Sequence, residues 1–373
     1  MTSIQAQLEK LRQTISQIKP ILAAEELYGE SATFIDVRES EEQQNGIIPG
    51  ALKIGRGFLE LKIESQIKNK NKKIILYCAS GSRSLLAANS IKLLGYTNVL
   101  SLEGGLKSWK DLGLPIAVVE SLSFSDKERY QRHLQIPEVG EEGQLKLLKS
   151  KVLIVGAGGL GSPIALYLAA AGVGTIGVID DDIIDRSNLQ RQIIHKDRDV
   201  SKSKVASAKQ SIQDLNPNCR VLTFAERLVP ENAESILSQF DIIVDGSDNF
   251  SSRYLINDTC VKLGLPNVHG AIYRFEGQAS VFWPASPNSD SPCYRCLFPA
   301  APPAGEAPSC AEAGVIGALP GVIGLIEAME TLKLILNLGK SLMGRLMLYN
   351  GLDNTFKELT FKKDPQCMVC SKN

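Results

Sequence analysis

The chain has 373 residues, which is too long for one ordinary domain and fits two. It carries 41 basic and 41 acidic residues, so its zero formal charge gives no indication of a surface for nucleic acid or acidic membrane. A hydrophobic content of 44% suits a globular protein with packed cores, and no apolar run reaches the roughly 18 residues that cross a membrane. We therefore expect neither nucleic acid nor a membrane as a partner.

The first segment, residues 1–19, has the pattern of an amphipathic helix. Apolar residues recur at steps of three and four from Ile4 to Ile18, and Pro20 should stop the helix. Charged residues interrupt the segment and there is no continuous apolar stretch, so it does not resemble a signal peptide. We therefore expect a cytoplasmic protein, in which cysteines remain thiols or bind metal.

Residues 20–116 alternate short apolar strands with helices. Strands are predicted at 33–37, 73–78 and 98–101, and a helix at 82–94. Because the strands are apolar throughout, they should lie in a parallel sheet that helices cover on both faces. The pattern fades over residues 117–125, which we interpret as a linker.

A second, larger α/β unit is predicted from residue 126 to residue 373. Strands are expected at 151–155, 175–179 and 242–245, with a helix at 160–171. Residues 286–313 are rich in Pro, Ala and Ser and should form a long surface loop.

A glycine-rich loop follows the first strand of this second unit directly and leads into its helix. Its spacing is G-x-G-x-x-G, and its glycines are Gly156, Gly158, Gly159 and Gly161. Glycines let the backbone approach a phosphate, and a helix N-terminus favours negative charge. Asp180 ends the next strand, where a ribose-binding acid belongs. The loop predicts a nucleotide without specifying it, so an NAD(P)-dependent oxidoreductase remains an alternative.

Polar residues downstream favour phosphoryl or adenylyl transfer over hydride transfer. Residues 187–192 read Ser-Asn-Leu-Gln-Arg-Gln, Lys204 lies on the next predicted helix, and Asp248 and Asn249 follow a strand end. Arginine and lysine can neutralise a triphosphate, and an aspartate can hold Mg²⁺. A dehydrogenase needs no such set.

These motifs together resemble the adenylating enzymes related to ubiquitin-activating enzyme, and above all the molybdopterin-synthase and thiamine sulfur-carrier adenylyltransferases. The resemblance implies an α/β Rossmann-like adenylating domain with a mixed sheet. It implies ATP and Mg²⁺ as cofactors, and a ubiquitin-like sulfur-carrier protein ending in Gly-Gly as the partner that is adenylated. The ATP contacts that it implies are Gly156, Gly158, Gly159, Gly161, Asp180, Ser187, Asn188, Leu189, Gln190, Arg191, Lys204, Asp248 and Asn249.

The resemblance also implies individual roles. Asp180 would hold the ribose, Asp248 would hold Mg²⁺, and Arg191 and Lys204 would neutralise the phosphates. Arg132 matches an arginine that these enzymes insert into the partner subunit's ATP site, which implies a homodimer. A catalytically inert protein that only binds carriers remains a second alternative.

Two C-x-x-C pairs, Cys293/Cys296 and Cys367/Cys370, offer four thiolates. Four thiolates can fill a tetrahedral metal site and leave no open position for catalysis. The family resemblance assigns these cysteines to structural Zn²⁺. A redox pair or inert thiols are the alternatives.

Cys78 lies where a predicted strand meets a predicted helix, so backbone amides would stabilise a thiolate or persulfide there. Four residues separate it from Arg83, one fewer than in a C-x₅-R phosphatase loop, and this shorter loop fits a sulfur atom better than a phosphate. With residues 36–39, 48–51 and 103–109, the segment 20–116 resembles a small α/β rhodanese-like domain. The resemblance implies that Cys78 carries a persulfide supplied by a cysteine desulfurase or by thiosulfate.

Two features depart from the related proteins. Many rhodaneses have a histidine where this chain has Ile47. In the eukaryotic two-domain relatives the rhodanese domain follows the adenylating domain, whereas here it precedes it.

Cys310, in the Pro/Ala-rich segment, aligns with a cysteine that forms a thioester or disulfide in several relatives. It would attack the acyl-adenylate or resolve the persulfide intermediate, and a spectator thiol is the alternative. Cys219 and Cys260 are predicted to be small core residues.

Overall fold

The computed structural model describes residues 3–118, 120–287, 291–301 and 314–371. It divides into two compact units, Met1–Ser121 and Leu122–Asn373. Both units combine helices with a sheet, so the predicted α/β class is confirmed. Within the described part of the chain, no helix is long and apolar enough to cross a membrane.

The first unit contains a five-stranded sheet with the strand order β1-β5-β4-β2-β3, in which every neighbouring pair is parallel. All four residues of its central strand, Ile74–Tyr77, are buried, as expected for a sheet covered on both faces. Its helices and strands are α1 (Ile4–Thr14), β1 (Gln17–Ile18), α2 (Pro20–Tyr28), β2 (Thr33–Asp36), α3 (Ser40–Gln43), β3 (Leu52–Lys53), α4 (Leu59–Gln66), β4 (Ile74–Tyr77), α5 (Ser82–Leu93), β5 (Val99–Leu102) and α6 (Gly105–Asp111).

The N-terminal segment differs from its prediction. Helix α1 ends at Thr14 rather than at Pro20, because Ile15 adopts an extended backbone. Gln17–Ile18 then forms strand β1 and pairs with the edge of β5, where the Ser101 amide donates to the Ser16 carbonyl at 3.0 Å. The apolar spacing suits a helix, but tertiary pairing along the open sheet edge decides the structure. Residues 4–18 are therefore part of the first unit's core and sheet.

The second unit contains an eight-stranded mixed sheet with the order β13-β12-β11-β10-β9-β6-β7-β8. Its β10-β9-β6-β7-β8 half is parallel, and β10 to β13 are antiparallel neighbours. Its helices and strands are α7 (Phe124–Arg129), α8 (Gln131–Leu134), α9 (Gly140–Lys149), β6 (Lys151–Val155), α10 (Gly161–Ala171), β7 (Thr175–Ile179), α11 (Lys204–Leu215), β8 (Arg220–Phe224), α12 (Pro230–Leu237), β9 (Ile242–Asp245), α13 (Phe250–Leu263), β10 (Asn267–Tyr273), β11 (Glu276–Phe282), α14 (Tyr294–Leu297), α15 (Leu319–Leu336), β12 (Arg345–Asn350) and β13 (Thr355–Thr360).

The parallel half of this sheet brings three loops to one edge. Val155 at the end of β6 pairs with Ile179 at the end of β7 and with Asp245 at the end of β9. The residues that follow these strands therefore leave the sheet at the same level, where open α/β sheets bind ligands.

The Pro/Ala-rich segment, residues 286–313, was predicted to be a loop throughout. It contains the short helix α14, whose first residue Tyr294 is buried against Tyr254 and Phe282. Residues 302–313, which include Cys310, lie outside the described residues, so the interpretation of Cys310 remains a prediction.

Candidate functional site

The glycine-rich loop between β6 and α10 requires its glycines for close backbone packing. Gly156 has a φ of +96°, and a Cβ there would lie 2.9 Å from the Gly246 carbonyl oxygen. A Cβ on Gly161 would lie 1.9 Å from the Gly156 carbonyl oxygen. At Gly158 an added Cβ would meet only the tip of Gln192, at 3.7 Å. The first and last glycines let the loop fold tightly, and Gly158 leaves open space on the side of the cleft.

A cleft lies at the edge of the sheet where β6, β7 and β9 end. Eight of the residues that the sequence predicts as ATP contacts line it: Gly156, Gly158, Gly159, Asp180, Arg191, Lys204, Asp248 and Asn249. The structure thus brings together residues that are up to 93 positions apart in the chain, from Gly156 to Asn249. Gln192, the last residue of the 187–192 stretch, also lines the cleft. Further lining residues that the sequence analysis did not name are Asp181, Asp182, Glu226, Arg227, Ser247, Ser252 and Arg253.

The peptide of Ala157 is held from both sides. The Asp180 carboxylate accepts from the Ala157 amide at 2.8 Å and from the Asp182 amide at 2.9 Å. The Ala157 carbonyl accepts from His195 Nε2 at 3.0 Å, so Nδ1 of the neutral ring accepts from Ser207 Oγ at 3.1 Å. Burial lowers the pKa of His195, which keeps the ring neutral. Asp180 and His195 therefore fix the glycine-rich loop.

Two predicted cations reach the cleft from different elements. Lys204 is the first residue of α11, is almost fully buried, and lies 2.7 Å from Asp182 Oδ2 through its Nζ. Arg191 Nη1 donates to the Ser187 carbonyl at 3.2 Å, and no carboxylate among the described residues pairs with it. The lysine thus carries its own counterion, whereas the arginine's charge is open to a ligand.

Arg253, one turn into α13, is a third cation of the cleft and was missed by the sequence analysis. It is 9% exposed, and its Nη2 donates to the Ser247 carbonyl at 3.3 Å. Its buried Nε has no hydrogen-bond partner in the described part of the chain, and it forms no ion pair there. A buried guanidinium without a carboxylate partner is costly unless an anion compensates it. The buried acid Asp245 lies close enough to interact with it electrostatically. Arg253 also lines the cleft with Ser247 and Asp248, where an anionic ligand would add to that compensation.

Several predicted contacts lie elsewhere. Ser187 and Asn188 form a cap with Asp185, in which the Ser187 amide donates to Asp185 Oδ1 at 2.8 Å and the Asp185 amide donates to Asn188 Oδ1 at 3.1 Å. None of the following predicted residues lines the cleft described here: Gly161, Ser187, Asn188, Leu189, Gln190 and Arg132. Arg132 is exposed on α8, so its predicted role depends on a second subunit.

The four cysteines of the two C-x-x-C pairs meet in one cluster. The Sγ atoms of Cys293 and Cys296 are 3.9 Å apart, those of Cys293 and Cys367 are 3.6 Å apart, and those of Cys296 and Cys370 are 3.4 Å apart. Tetrahedral zinc with bonds of about 2.3 Å places its sulfurs about 3.8 Å apart. The four thiols therefore fit a structural zinc ion, and the sequence-based pairing of these cysteines is supported by their geometry.

Cys78 lies at the bottom of the loop between β4 and α5, and its side chain is 1% exposed. The Gly81 amide donates to Cys78 Sγ at 3.2 Å, and Ser84 Oγ lies 3.7 Å from the same sulfur. Gly81 has a φ of +97°, a conformation that turns its amide toward the sulfur at little cost in glycine. The loop thus places a backbone amide and a hydroxyl at the Cys78 sulfur.

Arg83, in the first turn of α5, forms a bidentate ion pair with Glu42 of α3. Its Nη1 and Nη2 lie 2.6 Å and 2.7 Å from the two Glu42 oxygens. The hydrogen bonds from Arg83 lower the pKa of Glu42 to about 2, and those to Glu42 raise the pKa of Arg83. Neither residue's partner was predicted from the sequence, because 41 positions separate them.

Comparison with known proteins identifies the second unit. The sequence profile of the ThiF family matches residues 130–369, which is more than half of the chain. The chain belongs to the ThiF family. In addition, the profile of the rhodanese-like domain matches residues 22–112. The resemblance inferred from the glycine-rich loop and from the Cys78 loop is therefore confirmed for both parts.

Curated relatives support the assignment of this chain to the ThiF family. It is 49% identical over 252 residues to the SAMP-activating enzyme E1 of Haloferax volcanii, which covers 68% of this chain and 92% of the relative. It is 50% identical over 244 residues to a sulfur carrier protein adenylyltransferase of Thermus thermophilus, covering 65% and 90%. It is 50% identical over 245 residues to the probable adenylyltransferase/sulfurtransferase MoeZ of Mycobacterium tuberculosis, where the match covers 66% of this chain and 62% of that protein.

Solved structures show the same fold for the ThiF unit. E. coli MccB with ATP has a TM-score of 0.57 at 22% identity, with 65% of this chain and 74% of that chain covered. PaaA has a TM-score of 0.56 at 24% identity, covering 69% and 81%. At this identity the likeness concerns the fold alone. The family assignment favours the adenylyltransferase hypothesis over the NAD(P)-dependent oxidoreductase, since the named relatives are adenylyltransferases and sulfurtransferases.

Proposed function

We propose that this ThiF-family protein adenylates the C-terminal glycine of a ubiquitin-like sulfur-carrier protein and then delivers sulfur from Cys78 to form a thiocarboxylate. The observation that carries the proposal is the cleft, in which a glycine-rich loop, the buried cations Lys204 and Arg253, and the acid Asp248 converge. The relatives named as carrier-activating enzymes and the rhodanese-like segment support it.

The adenylation step brings two anions together, because the carrier's carboxylate attacks the α-phosphorus of ATP and pyrophosphate leaves. In our proposal Asp180 holds the ribose, and Arg191 and Lys204 offset the charge of the leaving phosphates. Arg253 lies near Ser247 and Asp248 and would neutralise charge at the reacting phosphate or the attacking carboxylate. Mg²⁺, held by Asp248, would neutralise phosphate charge in the same cleft.

The sulfur step uses the first unit. The outer sulfur of a Cys78 persulfide attacks the activated carbonyl carbon, AMP leaves, and an acyl disulfide to Cys78 forms. A second thiol then attacks the Cys78 sulfur and releases the carrier thiocarboxylate. Cys310 remains our candidate for this second thiol, and a cellular thiol would reduce the disulfide that results.

Further assignments belong to the same proposal. The rhodanese-like domain comprises residues 20–116, the linker residues 117–125, and the adenylating domain residues 126–373. The protein acts in the cytoplasm as a homodimer in which Arg132 completes the partner subunit's cleft. Zn²⁺ bound by the four cysteines has a structural role, and a cysteine desulfurase or thiosulfate supplies the sulfur.

Intact-mass analysis of candidate carriers ending in Gly-Gly tests the proposal. After incubation with ATP, Mg²⁺ and a sulfur donor, one carrier should gain a sulfur in place of an oxygen, and ATP–pyrophosphate exchange should depend on that carrier. Cys78→Ala should retain exchange and lose sulfur transfer. Cys310→Ala tests the second thiol in the same assay.

Two outcomes would contradict different halves of the proposal. Absence of exchange with every carrier, together with tight NAD(P) binding, would refute adenylation. Full thiocarboxylation by Cys78→Ala would refute the role of the first unit.

A further inference from the structure

We propose that Glu42 determines which sulfur donor the first unit accepts, by neutralising Arg83 so that the Cys78 loop favours a persulfide over the thiosulfate dianion. This inference rests on the proposed function, in which Cys78 carries the transferred sulfur. It names a specificity-determining residue that lies 36 positions before Cys78 and outside the loop itself.

The geometry behind this proposal is the bidentate ion pair. Both terminal nitrogens of Arg83 are engaged by Glu42, at 2.6 Å and 2.7 Å, and this fork-to-fork arrangement is the strongest that an arginine forms with a carboxylate. Both side chains are about one-third exposed, at 35% and 37%, so the pair lies where a dissolved donor can reach it. Glu42 is the main cause of the raised pKa of Arg83, and Cys78 contributes to it as well.

A second arginine beside Glu42, Arg38, does not supply an unpaired positive charge for a dianionic donor. Arg38 is 4% exposed and is held by Asp36 through its Nε and Nη2, at 3.0 Å and 2.6 Å. Its terminal nitrogens also donate to the backbone carbonyls of Glu42 and Gly46, at 2.9 Å and 2.7 Å. Arg83 and Arg38 are therefore both balanced by acids. Each pair has no net charge, so a Cys78 thiolate would give this group of side chains a net charge of minus one.

The two donor classes differ in the charge that they bring to this site. With thiosulfate, the Cys78 thiolate attacks the sulfane sulfur, the S–S bond of the donor breaks, and sulfite leaves with the electron pair as a dianion. With a persulfide R–S–SH, the thiolate attacks the outer sulfur, the donor's S–S bond breaks, and the thiolate R–S⁻ leaves while Cys78 becomes Cys78–S–SH. Thiosulfate enters as a dianion and sulfite leaves as a dianion, so the thiosulfate reaction needs an unpaired cation near Cys78. The persulfide reaction does not need one.

The experiment measures persulfide loading of the full-length protein by intact mass, at varied concentrations of thiosulfate or of cysteine persulfide. Glu42→Gln frees Arg83, so kcat/KM for thiosulfate should rise about tenfold or more, as one uncompensated charge near a dianion predicts. The value for cysteine persulfide should change less than about threefold. Glu42→Asp keeps the charge and should retain the wild-type preference, which separates charge from folding effects.

Glu60→Gln is the matched control, because Glu60 forms a similar pair with Arg56 at 2.8 Å in the same unit and its removal changes net charge equally. It should leave both donors unaffected. The proposal is overturned if Glu42→Gln does not accelerate loading from thiosulfate, or accelerates both donors alike. Loading that persists in Cys78→Ala would instead refute the proposed function, so the two failures are distinguishable.

Discussion

The Cys78 loop of the first unit and the cleft of the second unit hold their arginines in opposite ways. In the first unit Glu42 binds Arg83 bidentately. Asp36 binds Arg38 through several contacts. In the second unit the cleft residues Arg191 and Arg253 donate to backbone carbonyls and pair with no acid among the described residues. A paired arginine shapes a loop, whereas an unpaired one keeps its charge for an anionic ligand. The contrast fits the proposed sulfur site, whose arginines are neutralised, and the proposed nucleotide site, whose arginines are not.

Loss of the Arg253 charge gives the largest effect that this comparison predicts. Arg253→Gln should lower carrier-dependent ATP–pyrophosphate exchange about 100-fold, as expected when a preorganised cation of a transition state is removed. Arg253→Lys should recover part of the activity, and Arg345→Gln, which removes a surface arginine paired with Glu358, should have no effect. Exchange within threefold of wild type in Arg253→Gln would show that its free charge serves structure alone.

Loss of the cysteine cluster should affect the second unit only. Cys296→Ser should reduce zinc content and lower the melting temperature of that unit by about 5–15 °C, because metal binding is coupled to folding. The chain has two tryptophans, Trp109 in the first unit and Trp283 in the second, so each unit has a fluorescent reporter. Met368→Ala, an exposed residue between two of the cysteines, is the control and should retain both zinc and stability.

The two units should also lose stability in different pH ranges. All three histidines lie in the second unit, and burial lowers the pKa of His195 and His269 below their unfolded values. The unfolded chain then binds more protons, so the second unit should weaken as the pH falls below about 6.5. In the first unit the lowered pKa of Glu42 gives stability that is present above its unfolded value and is lost as the pH falls toward about 2.

Urea unfolding between pH 7.5 and pH 3, followed at Trp283 in Trp109→Phe and at Trp109 in Trp283→Phe, checks this difference. The Trp283 midpoint should decline first. Ser211→Ala removes the hydrogen bond to the Ile194 carbonyl and should lower the midpoint without changing its pH dependence. Coincident declines at both tryptophans would contradict the comparison.

The smallest effect is expected at Ser187. The sequence resemblance implies a contact with ATP, but the structure places this residue in a backbone cap with Asp185 and outside the cleft. Ser187→Ala keeps the backbone amide of the cap, so exchange should stay within about threefold of wild type. A larger loss, with ATP affinity reduced, would support the contact that the resemblance implies.

Local motifs could be predicted from sequence because their function depends on neighbours in the chain. The glycine-rich loop, the Cys78 loop and the two C-x-x-C pairs are of this kind. Arg253 was missed although it follows Asp248 by only five positions, because nothing in one sequence shows that the first turn of α13 lines the cleft. The Glu42–Arg83 pair joins two elements 41 positions apart, and β1 forms because the edge of β5 is open to pairing. Contacts set by tertiary packing leave no periodic or spacing signal in one sequence.

The spacing of the cysteine cluster has a further consequence for the unfolded chain. Cys293 and Cys367 are 74 positions apart, as are Cys296 and Cys370. A cross-link that closes a loop of this length removes chain entropy worth about 4 kcal/mol from the unfolded ensemble, by analogy with a disulfide. Four thiolates around one metal ion would give that constraint without oxidation, so reductants that cleave disulfides would leave it intact. The end of the chain would then be released by metal chelation rather than by a change in redox potential.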